Sequence, residues 1–589
     1  VHMILQALTA YYEQLLRTGQ ISAPGWENQF KVSYWLRINA EGQLIDLVDC
    51  RQMVPRGKKE VLAPREMAVP AHVKRASGIA ANFLCDNSTY LLGADEKGKP
   101  ERSIQCFEAC AKLHHAILDG VDSPAARAVL AFFDHWKPEE ASAHPLLAAR
   151  WKDITGNANL LFDYEGPEGS ILSTEDEAIR AAWQQHYNSA SPDAPLVQCL
   201  VTGQQAPAAR LHPSIKGVPG AQVAGAALVS FNAPAFCSYG HEQGENAPVS
   251  EYAAFAYTTA LNTLLASRDH CRILGDTAVV CWAENASPSY SSLGMMAMFG
   301  IPENHGLTED DLSKALDSLA KGQPCSWMGE DLQPGQHFYV LGLSPNAARI
   351  SVRFFYRDTM GKFAAHLQQH AKALEIDRPP YDQEPLISIS KIVRETLNFK
   401  ERNPKPSPQL SGALLRAALT GAPYPSTLLH SIASRIHADQ KVTPNRAAIL
   451  KAYYLRNAST LSNHKEILDM KLNDDSNYCP YVLGRLFATL EHIQSDANSE
   501  INTTIRDRYF NAACETPEVV FPTLINLAQK HLKKLTPAQQ INYNKLLTHL
   551  FSKIDETLPA HTTLPEQGAF QIGYYHQMRK FYTKKDKED

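Results

Sequence analysis

From residue 363 to residue 582 the apolar side chains recur every three to four positions, and no alternating run interrupts them. Before residue 358 the pattern is mixed, with period-two runs set between helical ones. A change of period on that scale points to an α+β fold. It predicts a mixed α/β N-terminal domain over 3–358, a helical connecting region over 359–469 and a C-terminal helical bundle over 470–589. Helices are expected at 363–374, 387–397, 407–420, 426–438 and 445–455, then at 481–494, 498–514, 518–535, 537–551 and 567–582. Pro404, Pro406, Pro408, Pro423 and Pro425 punctuate them rather than form a long linker.

The mixed part opens with a helical stripe over 3–17, then a hairpin with arms 30–38 and 44–48 around a turn at 39–42. Helices are expected at 104–118, 123–136, 141–151 and 175–187. A short apolar strand at 197–201 leads into a loop carrying Arg210, His212 and Lys216 among Pro213, Gly217, Pro219 and Gly220. A second strand-like apolar run at 224–231 and a polar, aromatic loop at 232–246 follow, and Ser250 caps a helix over 250–265. Such an order could hold a phosphate backbone; composition alone does not decide it. Farther on come a buried strand at 278–282, a helix at 310–320 and a hairpin of 337–343 with 349–356 that turns at Ser344-Pro345-Asn346. Period two puts Arg349, Arg353 and Arg357 on one face of its second arm, which is either a binding surface or a plain solvent face.

With 57 basic and 62 acidic side chains the 589-residue chain carries a net charge of -5, so it cannot coat nucleic acid indiscriminately. Any such contact has to be local. The richest basic stretch is the loop 51–75, where Arg51, Arg56, Lys58, Lys59, Arg65, Lys74 and Arg75 face only Glu60 and Glu66. Ser77, Gly78, Asn82, Asn87 and Ser88 follow directly. Cations beside amides and hydroxyls suit phosphate holding with base-edge reading. The alternative is a solvated face in which Asn82 and Asn87 only build turns.

Catalytic signatures fail on inspection. Gly93-Ala-Asp-Glu-Lys-Gly98-Lys99 begins like a phosphate loop, but Pro100 stands where a metal-binding hydroxyl belongs, and Asp95 and Glu96 repel phosphate. An exposed hairpin turn is expected there instead. His241, Glu242, Glu245 and Glu251 lack the H-E-x-x-H spacing of a metal site. His114 and His115 are adjacent and diverge on a helix. No serine elbow or paired cysteine motif occurs, so neither a catalytic residue nor a metal or cofactor is expected. The eleven cysteines include no C-x-x-C pair and read as free thiols of a reducing cytoplasm. No apolar run is long enough to span a bilayer, and Val1-His2 reads as an appendage before a natural start at Met3 with no signal peptide.

Long collinear segments carry a resemblance: MILQAL at Met3, SGIAANFLCDNSTYLLG at Ser77, CLVTG at Cys199, LHPSIKGVPGAQVAGAALVSFN at Leu211, NAPVSEYAAFAYTTALN at Asn246 and LGLSPNAARISVRFF at Leu341. Together they resemble the large subunit of the type I-C CRISPR Cascade complex, which senses the protospacer-adjacent motif in invading DNA. The resemblance implies a non-catalytic DNA-sensing subunit in a ribonucleoprotein, reading a 5′-TTC type of motif, opening the duplex and helping to recruit a helicase-nuclease. Its partners would be the crRNA-bearing backbone and handle-binding subunits, a small subunit and target double-stranded DNA, with no membrane. On that footing the leading DNA contacts are Lys74, Arg75, Ser77, Gly78, Asn82 and Asn87. Lys216, Gln222, Asn232 and Gln243, with Ser238 and Tyr239, come second for holding or wedging the duplex, or else serve only as loop residues. The C-terminal bundle is similar to the Cascade small subunit, and Met470 sits where an internal start would serve, since Lys465-Glu466 can be encoded by AAGGAG. The alternative class is a metal-dependent nuclease or RNA-processing enzyme. A milder one is a bridge between subunits whose partner reads the DNA.

Overall fold

Leu160, Leu161 and Phe162 form a run with no polar face to offer water, and all three are fully buried at the centre of a sheet. The computed structural model describes residues 2–21, 23–56, 59–73, 78–95, 100–189, 196–302, 306–382, 386–402, 404–457, 464–498, 502–554 and 557–583. Two units emerge: 1–213 with 231–259, and 214–230 with 260–589. The α+β class holds, with a helical C-terminal region.

The first unit opens with helix α1 (His2–Arg17) and the strands β1 (Trp26–Val32), β2 (Tyr34–Ile38), β3 (Leu44–Asp49), β4 (Gln52–Arg56), β5 (Lys59–Ala63) and β6 (Arg65–Pro70). β7 (Cys85–Asn87), helices α2 (Ser88–Leu91), α3 (Pro100–Leu118) and α4 (Pro124–His135), then β8 (Asn159–Gly166) and β9 (Gly169–Leu172) follow. β2 and β3 make the expected antiparallel hairpin over 34–38 alone, since 30–32 belong to β1 and pair β6, while β2 pairs β8 in parallel from Tyr34↔Leu160 to Ile38↔Tyr164. Parallel neighbours need a crossover, and α3 and α4 lie within it in sequence. β7 and β9 complete the five-stranded sheet by pairing antiparallel to β8. Phe107, Phe132, Phe133 and Phe162 pack in its core.

Three expectations fail in this unit. The helix expected over 141–151 is broken into a 3-10 turn at Pro138–Ala143, a single helical turn at Pro145–Ala148 and a separate helix that starts only at Trp151. The described residues of 51–70 do not form a loop, because β4 and β5 form a hairpin and β6 pairs with β1, while 57–58 and 74–75 lie outside the described residues. Nor are Tyr90, Leu91 and Leu92 the arm of a hairpin: all three are buried, the first two in α2, and α3 opens at Pro100, while residues 96–99 of the expected turn lie outside the described residues. A proline at the first helical turn forfeits no intrahelical bond.

Short strands β10 (Leu196–Gln198) and β11 (Gln205–Pro207) belong to the first unit, and helix α5 (Glu251–Ala266) contributes residues to each. Ser250 Oγ accepts the Ala253 N–H at 3.2 Å, the expected N-cap. The second unit holds β12 (Cys271–Leu274), β13 (Thr277–Ala283), β14 (Cys325–Trp327), β15 (Glu330–Leu332), β16 (His337–Asn346) and β17 (Arg349–Thr359). β12-β13-β16-β17 form an antiparallel sheet in that order, with every residue of β13 buried.

The run 224–231 forms no strand. It makes only isolated bridges, Ile215↔Ala226 and Ala227↔Arg349. β16 extends through Asn346, so the turn lies at Ala347 and Ala348 rather than at Ser344-Pro345-Asn346. The shared face of three arginines is also lost. Gly342 pairs Phe354 and Leu343 pairs Val352, so Arg353 is the extra residue of a β-bulge and the alternation resets across it. Arg357 then shares its face with Tyr339, over whose ring it lies at 5.7 Å, whereas Arg349 shares the opposite face with Asn346. Arg353 donates to Ser344 Oγ at 2.6 Å.

The helical half contains α6 (Met360–Leu374), α7 (Pro444–Arg456), α8 (Cys479–Ala497) and α9 (Leu564–Tyr582), with further helices at Pro408–Thr420, Ser426–Asp439, Ile505–Glu515, Pro517–Leu532 and Pro537–Phe551. α8 and α9 approach closely through glycine. A Cβ on Gly484 would stand 1.9 Å from the Phe570 carbonyl oxygen, and one on Gly573 2.1 Å from that of Tyr481. One apolar core runs from Leu274 in β12 to Tyr575 in α9. All eleven cysteines are free, and no helix of the described residues is long and apolar enough to cross a membrane.

Candidate nucleic-acid interface

The described residues between β6 and α2 gather on one buried carboxylate. Asp86, 2% exposed, accepts the Asn82 N–H at 3.0 Å through Oδ2 and the Asn87 N–H at 2.8 Å through Oδ1. Asn82 is itself 4% exposed, and its Oδ1 accepts the Val73 N–H at 2.8 Å. Asn87 caps α2 by accepting the Thr89 N–H at 3.1 Å. Both amides thus place an acceptor oxygen on backbone, and it is burial that keeps the remaining donors of Asn82 from a base edge unless the turn opens. Leu84, at φ 61°, directs its N–H to His114 Nε2 at 2.9 Å, while His114 Nδ1 faces the Cys110 carbonyl at 2.8 Å. Nε2 therefore accepts and Nδ1 carries the proton. Burial pushes the His114 pKa down to about 4. His115 is paired separately, with Asp119 and Asp134.

Lys74, Arg75 and Ser77 lie outside the described residues. Their flanks are fixed at two points: Val73 by Asn82, and exposed Gly78 by Arg102, whose Nη2 donates to the Gly78 carbonyl at 3.4 Å. Of the upstream cations, Arg51 is held by Asp49 at 2.7 and 2.9 Å with its guanidinium 4.9 Å over the Tyr34 ring, and Arg65 lies over Trp35 at 5.7 Å. These two serve packing as much as any ligand.

The β4–β5 hairpin has a feature that the count of charges hid. Met53 and Leu62 pair across it and are 56% and 48% exposed, and Val61 is 40% exposed. The signal was present in the spelling, an apolar pair inside a basic hairpin, but showed only once the register was known.

The second-tier residues divide between the units. In the first, Asn232 is exposed, Ser238 donates its N–H to Asn246 Oδ1 at 2.8 Å, and Tyr239 stands 99% exposed at φ 54°. Gln243, at φ 45°, accepts from Arg210 Nη1 at 2.8 Å. Gly244 is obligatory there, since a Cβ would lie 2.0 Å from the Ala209 carbonyl oxygen. Beside this loop is a cavity of about 390 Å³ reached by Asn232, His241 and Gln243. Two backbone conformations unusual for side-chain-bearing residues, one of them at the exposed aromatic itself, are of the kind that cluster at binding sites.

In the second unit Asn262 of α5 pins the loop base, accepting the Lys216 N–H at 2.8 Å and donating to the Ser214 carbonyl at 3.2 Å. Ile215 and Ala226 exchange backbone bonds of 2.9 Å, closing the loop above it. The excursion between them leaves Lys216 and Gln222 exposed and Val223 wholly so. The arrangement offers a cation, an amide and an apolar tip on a clamped loop.

His241, Glu242 and Glu245 are otherwise engaged. Glu242 and Glu245 form a capping box, with the Glu242 N–H donating to Glu245 Oε2 at 3.0 Å, and His241 Nδ1 is 3.9 Å from that carboxylate. Among the described residues no group of three or more His, Cys, Asp or Glu side chains could hold a metal ion.

No curated protein matches the chain. The Cas_Csd1 family of CRISPR-associated proteins matches it over residues 8–582, through both units and both period classes. That span shows the kinship the collinear segments had indicated: the chain belongs to the Cas_Csd1 family, the large subunit of the type I-C CRISPR Cascade complex.

Proposed function

We propose that the chain is the motif-sensing, non-catalytic subunit of this complex, and that it starts R-loop formation by gripping a short duplex motif and opening the pairs beside it. In guide-RNA complexes base pairing reads most of the sequence and protein reads only the motif. The observation that carries the reading is the anchored frame around Lys74, Arg75 and Ser77: a rigid hydrogen-bonded turn on one side, Gly78 held by Arg102 on the other, within the chain's most basic stretch. The exposed Lys216, Gln222 and Val223 fit a role in holding and wedging the opened strands. The exposed Met53, Val61 and Leu62 fit cover by a neighbouring subunit. The C-terminal helices would support a displaced or target strand, and a second product starting at Met470 would supply the small subunit. Recruitment of the helicase-nuclease completes the role.

Duplex binding by the reconstituted complex across a randomised motif library tests it. Arg75→Ala should weaken all sequences alike, and Ser77→Ala should flatten the motif preference. Unchanged preference and affinity in both would refute the assignment. Cutting of DNA or RNA by the purified chain with Mg²⁺ or Mn²⁺ would refute its non-catalytic part. For the internal start, the Met470 codon is changed while a C-terminally tagged product is followed; survival of the short species would exclude it.

A further inference from the structure

The C-terminal end of α9 carries a charge arrangement that motif sensing leaves unused. A cavity of about 260 Å³ lies there, walled by Asp377, Lys471, Asp474, His576, Arg579 and Lys580. Arg579 Nε donates to Asp377 at 3.1 Å. Asp474 is shared by Lys580 and by the buried Arg485 behind the wall. Lys471 is exposed and pairs with no carboxylate among the described residues. Three cations therefore line the cavity with two carboxylates, and the buried Arg485 takes up part of the charge of Asp474 from behind.

The neutral wall adds a donor. Tyr481 Oη accepts the Asn473 N–H at 3.2 Å, so its own proton is free for His576 Nδ1 at 3.0 Å. That leaves the hydrogen of the His576 ring on Nε2, which has no partner although the residue is only 2% exposed. Two ammonium groups and a guanidinium around one cavity, with an unpartnered imidazole N–H buried in its wall, suit an anion with several oxygens.

We propose that this cleft binds a phosphate group and that Asp377 sets its strength by holding Arg579 in an internal ion pair. The inference rests on the reading of the C-terminal helices as a strand support, and it adds both the seat and its restraint. Asp377 belongs to the chain ahead of Met470, and its N–H donates to the Met470 carbonyl at 3.0 Å. A product starting at Met470 would lack the restraint and present Arg579 unpaired.

The test uses the full chain with labelled dT12 as strand probe and inorganic pyrophosphate as free-phosphate probe. Asp377→Asn should tighten dT12 binding roughly three- to tenfold, the worth of one nearby charge partly screened by water. Lys471→Ala, at an exposed position, should weaken it and lower the salt slope by about 0.7, the value for one phosphate of a single strand left without its cation. The gain from Asp377→Asn should vanish in Asp377→Asn/Arg579→Gln. Binding indifferent to Lys471→Ala, or a gain that survives removal of Arg579, overturns the site while leaving strand support in place. Response of pyrophosphate alone to these variants keeps the phosphate site and overturns strand support. A response only to acidic peptide overturns both.

Discussion

Asn82 occupies the position at which an amide could read a base, yet its oxygen holds the Val73 N–H inside the fold. Removing the acceptor strands a part-buried donor, so Asn82→Ala should cost about 1–3 kcal/mol of stability. Its effect on duplex binding should appear as lower affinity for every motif, with the order of preference kept. A motif library read beside a denaturation curve checks both, and a changed preference at unchanged stability would make Asn82 a direct reader. His114 supports the same turn through the Leu84 N–H and does so only while neutral. Its folded pKa of about 4 lies below the usual 6.5, so the unfolded chain binds the extra proton first. The contribution is therefore whole above pH 6.5 and is lost as pH falls toward 4, the loss reaching about 2 kcal/mol at pH 5. Thermal unfolding between pH 7 and pH 5 should show that decline, and the decline should be shallower in His114→Gln. The sequence marked Asn82 as polar and close to positive charge, and His114 only as a histidine diverging from His115. It could not assign their partners, because Val73, Asp86 and Leu84 meet Asn82 and His114 only after the turn has closed.

At the scale of elements, spacing of apolar residues was a good guide wherever an element buries one regular face. The helices from 363 to 582 and β13 follow from it, except that the helix expected from 498 starts only at Ile505. It failed where hydrogen bonding rather than burial decides: 224–231 has apolar composition but only two isolated bridges, and one bulge at Arg353 undoes the period-two reading of three arginines. The loop carrying Tyr239 and Gln243 illustrates the same point, since its shape is set by Gly244 lying against the Ala209 and Arg210 carbonyls. Gly244→Ala should force that contact apart at a cost of about 1–3 kcal/mol. If the loop serves DNA, duplex opening should fall while assembly with the other subunits persists. Reporter-base fluorescence beside the motif would measure opening, and unaltered opening despite a displaced loop would remove Tyr239 and Gln243 from the interface.

At the scale of the whole molecule, the expected boundaries at 358/359 and 469/470 both fall inside the second unit. Physical ties cross the latter: Tyr454 Oη donates to the Pro565 carbonyl at 3.1 Å, Tyr575 Oη to that of Asp377 at 2.7 Å, and the core is continuous from β12 to α9. A block starting at residue 470 therefore shares its stability with the helices before it whenever both are in one chain. Hydrogen exchange on the full chain should give the slowest amides of α7 and α9 the same opening free energy, and Gly484→Ala in α8 should lower both together. Two distinct values, with only the α9 value responding to Gly484→Ala, would mean that 470–589 unfolds alone. In that case a separately made small subunit needs no new partner for its α9 face. With one shared value it does, because the surface that α7 and residues 377–378 cover in the long chain would be bare in the short one.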